Sequence, residues 1–443
     1  MCIAHGKLVI YNPPQLKTLV GNNGELVGSL ADFGHIPYGH TVVGQPVFIQ
    51  DNEYGCDDFN TTLTKFPDSN PIVVVKRGKC SFVQKVRNAE HGGAKMAIVV
   101  DEVNSENVKF ITMVNDGTGN GLIIPSILIN KDPGNNLIDF IKTNDANVTN
   151  SIKMIMTFDL NNESNSVKYD ILFSSYQDRA LDFISDFKEF QLKLGESAKM
   201  TPRYFSWPCF TWDADIIKKD CYGNGKYCAM DYTDLEMSGK TILLSNIYQK
   251  WIYKVSLDTK KNDSDWWNYM YKAHSSCYKD FTEDCTKMIH NKLGLDWNKT
   301  SEWVKNSFVN KDTADEDNII LGEDYEYWNE GGYVYTPAVM INDLKYNGDL
   351  VASYVFEAIW ASFKDKPTAW IDSNSTTKIG TTPSTHVSFN WFMLVILVLI
   401  IFNVILILVC IKRNNSQIKD DVLAVIGNYS KFGKHQKLEE NQA

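Results

Sequence analysis

The sequence predicts a mixed α/β (α+β) fold in two domains, followed by a single transmembrane helix. Short β-branched runs alternate with amphipathic segments of helical period as far as about residue 365. A charge-free apolar run then covers Phe389–Ile411. The predicted segments are a first domain (1–160), a second domain (166–365), a Ser/Thr-rich stalk (366–388), the transmembrane helix (389–411) and a tail (412–443).

The apolar run Phe389–Ile411 is long enough to cross a bilayer. As a helix its 23 residues measure about 34 Å, and a hydrocarbon core is about 30 Å thick. Lys412 and Arg413 follow directly, so we expect the tail on the cytoplasmic side and both domains in the lumen. The alternative is a buried core helix, but such helices are rarely this long or this uniformly apolar.

The N terminus and the Asn-x-Ser/Thr triplets bear on this topology. The first 14 residues lack the apolar stretch of a cleavable signal peptide, and we favour a truncated gene model over a different topology. Six triplets before the apolar run support the lumenal placement. The predicted glycosylation sites are Asn60, Asn147, Asn162, Asn262, Asn298 and Asn374.

Charge and cysteine usage exclude several functions. The net charge is −10, and the short tail is the basic part of the chain, so a nucleic-acid partner is not expected. The nine cysteines include no Cys-x-x-Cys, which removes the usual zinc-ribbon and redox motifs. The pairs Cys221 with Cys228 and Cys277 with Cys285 have spacings typical of disulfides in an oxidising lumen. Setting Cys2 and Cys410 aside leaves seven cysteines, an odd number, so one thiol is expected to be either free or paired with Cys2.

The first domain begins as strands interrupted by short helices. Ser81 is a good N-cap for a helix that Gly92-Gly93 ends, and Asp132-Pro133 predicts the start of another. The predicted strands are Val42–Ile49, Ile72–Lys76, Ala97–Val100 and Pro125–Ile129, and the first helix is Phe82–His91.

These residues resemble a protease-associated (PA) domain. The resemblance rests on Val75–Phe82 with Lys85 and Asn88-Ala89, on Asp32-Phe33-Gly34 with Pro37-Tyr38-Gly39, and on Ile124-Pro125-Ser126. It covers about 150 residues and implies a disulfide between Cys56 and Cys80.

The second domain resembles a thioredoxin-like fold. Val167–Phe173 predicts a strand, Asp178 caps a helix that ends near Gly195, and Arg203–Trp207 begins a further strand. Thr336-Pro337 resembles the cis-proline strand of that fold, before a last helix over 349–363; the alternative is a trans proline that opens a strand. The stretch 174–178, where redox members carry cysteines, has no thiol, so the fold is expected to serve as a scaffold.

Three further segments of the second domain extend the resemblance. Cys221–Asp231, Gly239-Lys240 and Trp266–Tyr269 match the order of segments in plant-type vacuolar sorting receptors, from about Leu8 to Phe363. That family binds sorting determinants of soluble cargo in the Golgi lumen and delivers the cargo to vacuoles or lysosome-like compartments. The chain departs from the family: its stalk has no EGF-like repeats, and Trp251 stands where a cysteine is expected.

Arg77 is the first candidate for cargo binding. It lies in a turn after a buried strand, and its planar guanidinium can hold a peptide carbonyl or carboxylate with two hydrogen bonds. By resemblance, sorting receptors use the Arg of this turn to hold cargo. A solvated surface Arg is the alternative.

The loop Asp32–His40 is the second candidate, since two glycines and Pro37 fix its shape. Asp32, Gly34 and Tyr38 belong to it, and a plain connecting turn is the alternative. Met113 resembles a third cargo-facing position, with core packing equally expected. His35 and His40 are hypothesised to weaken cargo binding as they charge between pH 7 and 5.

In the tail, Tyr429 and Phe432 fit a Tyr-x-x-bulky-apolar signal for a clathrin adaptor. The alternative is an unstructured tail that no adaptor binds. The expected partners are therefore soluble vacuolar or lysosomal cargo peptides, an adaptor and membrane lipid.

A type I transport receptor is the leading interpretation. No peptidase constellation, cofactor motif or metal site is found, and the tail lacks the ligands of a RING. The alternatives are a lumenal thioredoxin-like chaperone and an inactive relative of PA-domain peptidases.

Overall fold

The computed structural model describes residues 2–3, 6–59, 63, 70–159, 163–229, 237–278, 280–310, 317–331 and 336–367. The predicted transmembrane helix, the tail and the stalk beyond Pro367 lie outside these residues. Within them, every helix is too short or too polar to cross a bilayer. All of the described residues belong to one compact unit that covers 1–373.

Among the described residues the chain forms fifteen strands and twelve α-helices. The strands are β1 (Cys2–Ile3), β2 (Lys7–Asn12), β3 (Glu25–Leu26), β4 (Gly28–Leu30), β5 (Thr41–Val47), β6 (Pro71–Lys76), β7 (Met96–Val100), β8 (Ser126–Ile129), β9 (Lys153–Thr157), β10 (Val167–Phe173), β11 (Ala198–Tyr204), β12 (Cys221–Tyr222), β13 (Tyr227–Cys228), β14 (Ala338–Ile341) and β15 (Leu344–Lys345). The helices are α1 (Pro14–Val20), α2 (Phe82–His91), α3 (Lys131–Thr143), α4 (Ala146–Asn150), α5 (Asp178–Leu194), α6 (Ala214–Asp220), α7 (Gly239–Lys260), α8 (Ser264–Ser276), α9 (Glu283–Leu293), α10 (Trp297–Asn306), α11 (Ile319–Gly331) and α12 (Ala352–Ala361).

The first sheet has eight strands in the order β3-β2-β9-β5-β6-β7-β8-β4. Its centre, β5 to β8, is parallel, and its flanks are antiparallel. Both faces of β6 and β7 are buried, which explains their continuous apolar sequences. Helix α2 starts where predicted because the Ser81 hydroxyl accepts the Gln84 amide proton at 3.2 Å.

The second sheet has the order β1-β15-β14-β10-β11. Strands β10 and β11 are parallel, and β14 runs antiparallel to β10. The Thr336–Pro337 peptide bond is cis, which confirms the prediction over its trans alternative. Helices α6 to α11 are inserted between β11 and β14.

Several predicted boundaries were wrong, among them the last helix, which spans Ala352–Ala361 and not 349–363. Strand β11 begins at Ala198 instead of Arg203. Helix α3 begins at Lys131 after Asn130, so Asp132 lies in its first turn and does not cap it. Asp178 is likewise the first residue of α5, not its cap.

The predicted disulfides Cys56–Cys80, Cys221–Cys228 and Cys277–Cys285 are all formed, and Cys209 is free. One buried apolar cluster contains Ile36 and Tyr38 of the first domain together with Phe173 and Val355 of the second. The two domains therefore share a core.

Candidate functional site

The Arg77 turn joins the end of β6 to α2. Gly78 and Lys79 have φ angles of +99° and +66°, and a Cβ on Gly78 would lie 2.6 Å from the Glu102 carboxylate. The positive φ angle at Gly78 therefore favours glycine, because another residue would be strained there. The Arg77 amide donates to the Val100 carbonyl at 2.8 Å, and the Cys56–Cys80 disulfide closes the turn.

Asp101 holds the Arg77 side chain. Lys76 pairs in register with Val100, so the two residues that follow these strands are neighbours. The Arg77 Nη1 lies 3.0 Å from the Asp101 Oδ1, and the guanidinium carbon lies 5.5 Å from the Phe82 ring centre. Asp101 is buried whereas the Arg77 side chain is 40% exposed. The remaining N–H groups of the guanidinium are thus presented to solvent at a fixed position.

Sequence reasoning missed Asp101. Its Oδ1 also accepts the Glu102 amide at 2.7 Å, while its Oδ2 is buried and has no hydrogen-bond partner among the described residues. A buried polar atom without a hydrogen-bond partner is unusual in a folded protein. The available signal was an acidic residue directly after the strand adjacent to β6.

The loop 32–40, predicted to receive cargo, instead lies against the second domain. The Gly34 carbonyl accepts the Asp349 amide at 2.8 Å, and a Cβ on Gly34 would lie 2.5 Å from the Ile124 carbonyl. The Asp32 carboxylate accepts the Asn115 amide at 2.8 Å, and burial raises the pKa of Asp32. These groups are used within the protein, so the structure favours a structural role for the loop.

Tyr38 is buried at the same contact. Its hydroxyl accepts the Asn347 amide at 2.9 Å, and its ring centre lies 5.6 Å from that of Tyr346. The same hydroxyl also donates to the Asn347 carbonyl at 3.2 Å, so it acts as both acceptor and donor toward the second domain. The hydroxyl of Tyr38 is therefore used in the contact between the two domains.

Met113 is fully buried and belongs to the apolar core beside α2. In this structure it is a core residue, the alternative that the sequence left open. His35 stacks on Tyr354 with ring centres 4.1 Å apart, and its Nε2 lies 2.9 Å from the Glu357 carboxylate. His40 is exposed. The two histidines therefore differ: His35 contacts the second domain and His40 faces solvent.

The position of the redox pair in thioredoxin-like enzymes is occupied by buried serines. Ser174 and Ser175 follow β10, and the Ser175 amide donates to Asn246 Oδ1 at 3.2 Å. Gln177 donates to the Thr336 hydroxyl at 2.7 Å, beside the cis proline. Trp251 is half-buried on α7, with its ring centre 5.8 Å from that of Trp303. The tryptophan therefore packs against another aromatic ring where the family is expected to carry a cysteine.

The remaining predicted sites divide into two groups. Asn147, Asn262 and Asn298 are exposed, as glycosylation requires. Asn60, Asn162, Asn374, Tyr429 and Phe432 lie outside the described residues.

Comparison with known proteins identifies both domains. Residues 39–137 match the PA domain family, and residues 168–360 match the vacuolar sorting receptor thioredoxin-like domain. Vacuolar-sorting receptor 1 of Pisum sativum is 27% identical over 82% of this chain and 60% of its own length. Vacuolar-sorting receptor 7 of Arabidopsis thaliana is 28% identical over 76% of this chain and 56% of its own length.

The chain thus spans less than two thirds of the length of these relatives. Among solved structures, the thiol-disulfide exchange protein alpha-DsbA2 of Wolbachia pipientis is 14% identical, with a TM-score of 0.29 over 45% of this chain and 82% of that protein. This similarity is too low to bear on the function of the protein. From the two family matches and the sorting receptor relatives, the chain is a vacuolar sorting receptor-like protein, with a PA domain followed by a thioredoxin-like domain of the vacuolar sorting receptor type.

Proposed function

We propose that the protein is a single-pass type I membrane receptor of the Golgi, prevacuolar endosome and vacuole. It binds sorting determinants of soluble lumenal proteins and carries those proteins to vacuoles or lysosome-like compartments. The similarity to vacuolar sorting receptors over both domains supports a sorting role. The membrane anchor, the adaptor signal at Tyr429 and Phe432 and the glycosylation of the lumenal domains belong to the same proposal.

The observation that carries the proposal is the fixed, half-exposed guanidinium of Arg77 above Asp101. The Nη1 of the guanidinium donates to one oxygen of the buried carboxylate, and the other donors of the group can bind a backbone carbonyl or a carboxylate of cargo. Hydrogen bonds of this charge-assisted kind contribute about 1.5–3 kcal/mol each. Because Asp101 fixes the side chain in advance, less conformational entropy is lost when a peptide binds.

The proposal treats the second domain as a scaffold. Ser174 and Ser175 stand where exchange chemistry needs a thiolate, and both are buried. We therefore expect the protein not to accelerate insulin reduction by dithiothreitol, whereas a lumenal thioredoxin-like oxidoreductase would.

The proposal is tested with the full-length chain, immobilised and incubated with a lumenal extract of the secretory pathway. Wild type is compared with three variants. Arg77→Ala removes the guanidinium, and Arg77→Lys keeps the charge but loses the planar group. Lys95→Ala is the control, because it removes an exposed cation of the same domain. We expect hydrolase precursors to bind wild type and Lys95→Ala, to bind Arg77→Lys weakly, and to be lost from Arg77→Ala. Retention of the same precursors by Arg77→Ala would refute this role of Arg77.

A further inference from the structure

Lys85 has the most unusual environment of any cation near the Arg77 turn. It lies on α2 and is fully buried. Its Nζ lies 2.6 Å from the Gly78 carbonyl oxygen and 2.6 Å from the Tyr54 carbonyl oxygen. The two sulfurs of the Cys56–Cys80 disulfide lie 3.7 Å and 3.4 Å from the same nitrogen. One ammonium group thus contacts both chain segments that the disulfide joins.

A buried ammonium group without a counter-ion is costly, and charges in protein interiors are normally paired. Among the described residues, no carboxylate forms an ion pair with Lys85. The Tyr54 ring centre lies 5.6 Å from its Nζ, Glu102 attracts the charge at longer range, and Lys79 repels it. The charge is therefore compensated mainly by two carbonyl dipoles. Fixing a surface turn in this way has a high desolvation cost.

Two other side chains of α2 bind only the loop 54–56 and not the Arg77 turn. Gln84 donates to the Cys56 carbonyl at 3.1 Å, and Asn88 donates to the Gly55 carbonyl at 3.0 Å. With Lys85 bound to the Tyr54 carbonyl, α2 thus binds three consecutive carbonyls of this loop. Of these three side chains, only Lys85 also reaches the Arg77 turn, through the carbonyl of Gly78.

We propose that Lys85 is a positioning residue for Arg77: its buried ammonium ties the Gly78 carbonyl to the Tyr54 carbonyl and so fixes the turn that presents the guanidinium. The consequence for cargo affinity rests on the proposed function, whereas the consequence for the turn itself does not. Gly78 and Lys79 both have left-handed backbone angles, so the turn depends on such external contacts to hold its shape.

The geometry predicts that the turn responds to pH. Burial lowers the pKa of Lys85 to about 8, with Glu102 opposing the shift and Lys79 adding to it. Hydrogen bonds from a charged donor are roughly twice as strong as those from a neutral one. The turn is therefore held firmly at pH 7 and more weakly once Lys85 loses its proton.

The test measures cleavage of the Arg77–Gly78 bond in the full-length protein by an arginine-specific protease, with rates normalised to an unstructured arginine peptide at each pH. The variants are Lys85→Met, which keeps the length of the side chain, and Lys85→Arg, which keeps the charge above pH 8. The control is Lys95→Met. At pH 7 we expect cleavage of Lys85→Met to be about tenfold faster than that of wild type or the control. Between pH 7 and 9.5 we expect cleavage of wild type to rise several-fold and that of Lys85→Arg to stay level.

Circular dichroism separates a local from a global effect. If Lys85→Met has the wild-type spectrum and its turn is as protected as that of wild type, the proposal is overturned. If Lys85→Met does not fold, the pH profiles decide: a level profile in wild type overturns the proposal, and a rise that is absent from Lys85→Arg supports it. Because cleavage requires no cargo, a loosened turn with unchanged cargo retention would refute the role of Arg77 in sorting and leave the role of Lys85 in the turn intact.

Discussion

The hydroxyl of Tyr38 both accepts the amide proton of Asn347 and donates to the carbonyl of the same residue. The buried hydroxyl of the PA domain thus forms both of its hydrogen bonds with the backbone of a single residue of the thioredoxin-like domain. Two residues after Asn347, the Asp349 amide donates to the Gly34 carbonyl. The two domains therefore share hydrogen bonds as well as an apolar core.

Tyr38→Phe should destabilise the protein by about 1–3 kcal/mol. The change keeps the ring but leaves the buried Asn347 amide without its acceptor. Urea unfolding measures the effect, with Tyr11→Phe as the control because Tyr11 is 62% exposed. Cargo affinity, measured where both proteins are fully folded, should not change. A loss of cargo binding by folded Tyr38→Phe would support the prediction that Tyr38 binds cargo.

Asp101→Asn should weaken cargo binding about tenfold. The substitution keeps the shape of the side chain but removes the charge that holds the guanidinium of Arg77. Titration of a retained cargo peptide measures the affinity. Glu106→Gln, a change at an exposed carboxylate of the same domain, should bind like wild type. Equal affinities for all three proteins would show that Asp101 does not position Arg77 for binding.

Asp263→Asn should remove part of the dependence of stability on pH. Asp263 is buried, its carboxylate accepts the Gln191 amide at 3.3 Å and 3.4 Å, and burial raises its pKa. The folded state therefore holds this proton at a higher pH than the unfolded chain, whose Asp pKa is about 3.9. The free energy of unfolding should rise as pH falls through the folded pKa, and that gain should be complete below the unfolded pKa.

Urea unfolding of wild type and Asp263→Asn between pH 7 and 4 isolates this contribution. Asp32 and Asp170 also have pKa values raised by burial, so the difference between the two proteins is the quantity of interest. Asp139→Asn, at an exposed position, serves as the control. The same pH dependence in wild type and Asp263→Asn would contradict the prediction.

Peptide mapping under non-reducing conditions should recover three linked pairs, Cys56–Cys80, Cys221–Cys228 and Cys277–Cys285. Cys209 should be alkylated slowly in the folded protein, since burial raises the pKa of its thiol, and fast after denaturation. Recovery of Cys209 in a disulfide with Cys2 would instead support the pairing that the sequence left open.

If the proposed adaptor signal is present, Tyr429→Ala should redirect the protein to the cell surface, because the tyrosine of such a signal fills one of the two pockets of the adaptor. Imaging of the tagged full-length protein measures the steady-state location. Tyr429→Phe should have an intermediate effect, and an unaltered location for Tyr429→Ala would count against the signal.

Local features could be predicted from the sequence because neighbouring residues determine them. Helix α2 begins and ends where Ser81 and Gly92 indicate, and β10 has its predicted bounds. The start of β11 was missed because Ala198–Pro202 mixes small, polar and proline residues that do not form an apolar run. The cap of α3 was misplaced by two residues because Asn130 and Asp132 are both good cap residues.

The candidate site could be predicted only in part. Arg77 could be singled out because it follows a buried strand and precedes Gly78, and because the resemblance to sorting receptors points to the same turn. Asp101 and Lys85 act on that turn from another strand and from the buried face of a helix, which no local pattern reveals. The loop 32–40 was assigned to cargo because its contacts with Asn347 and Asp349 lie about three hundred residues away in the sequence.

Strand β1 pairs with β15, so residues 2–3 supply an outer strand of the sheet whose other four strands come from the second domain. A fragment that starts at residue 163 would lose this strand and expose the edge of β15 that faces away from β14. Open edges of this kind recruit other chains and promote aggregation. Expressing the second domain without the first would therefore create a new sheet edge that the complete pair of domains covers.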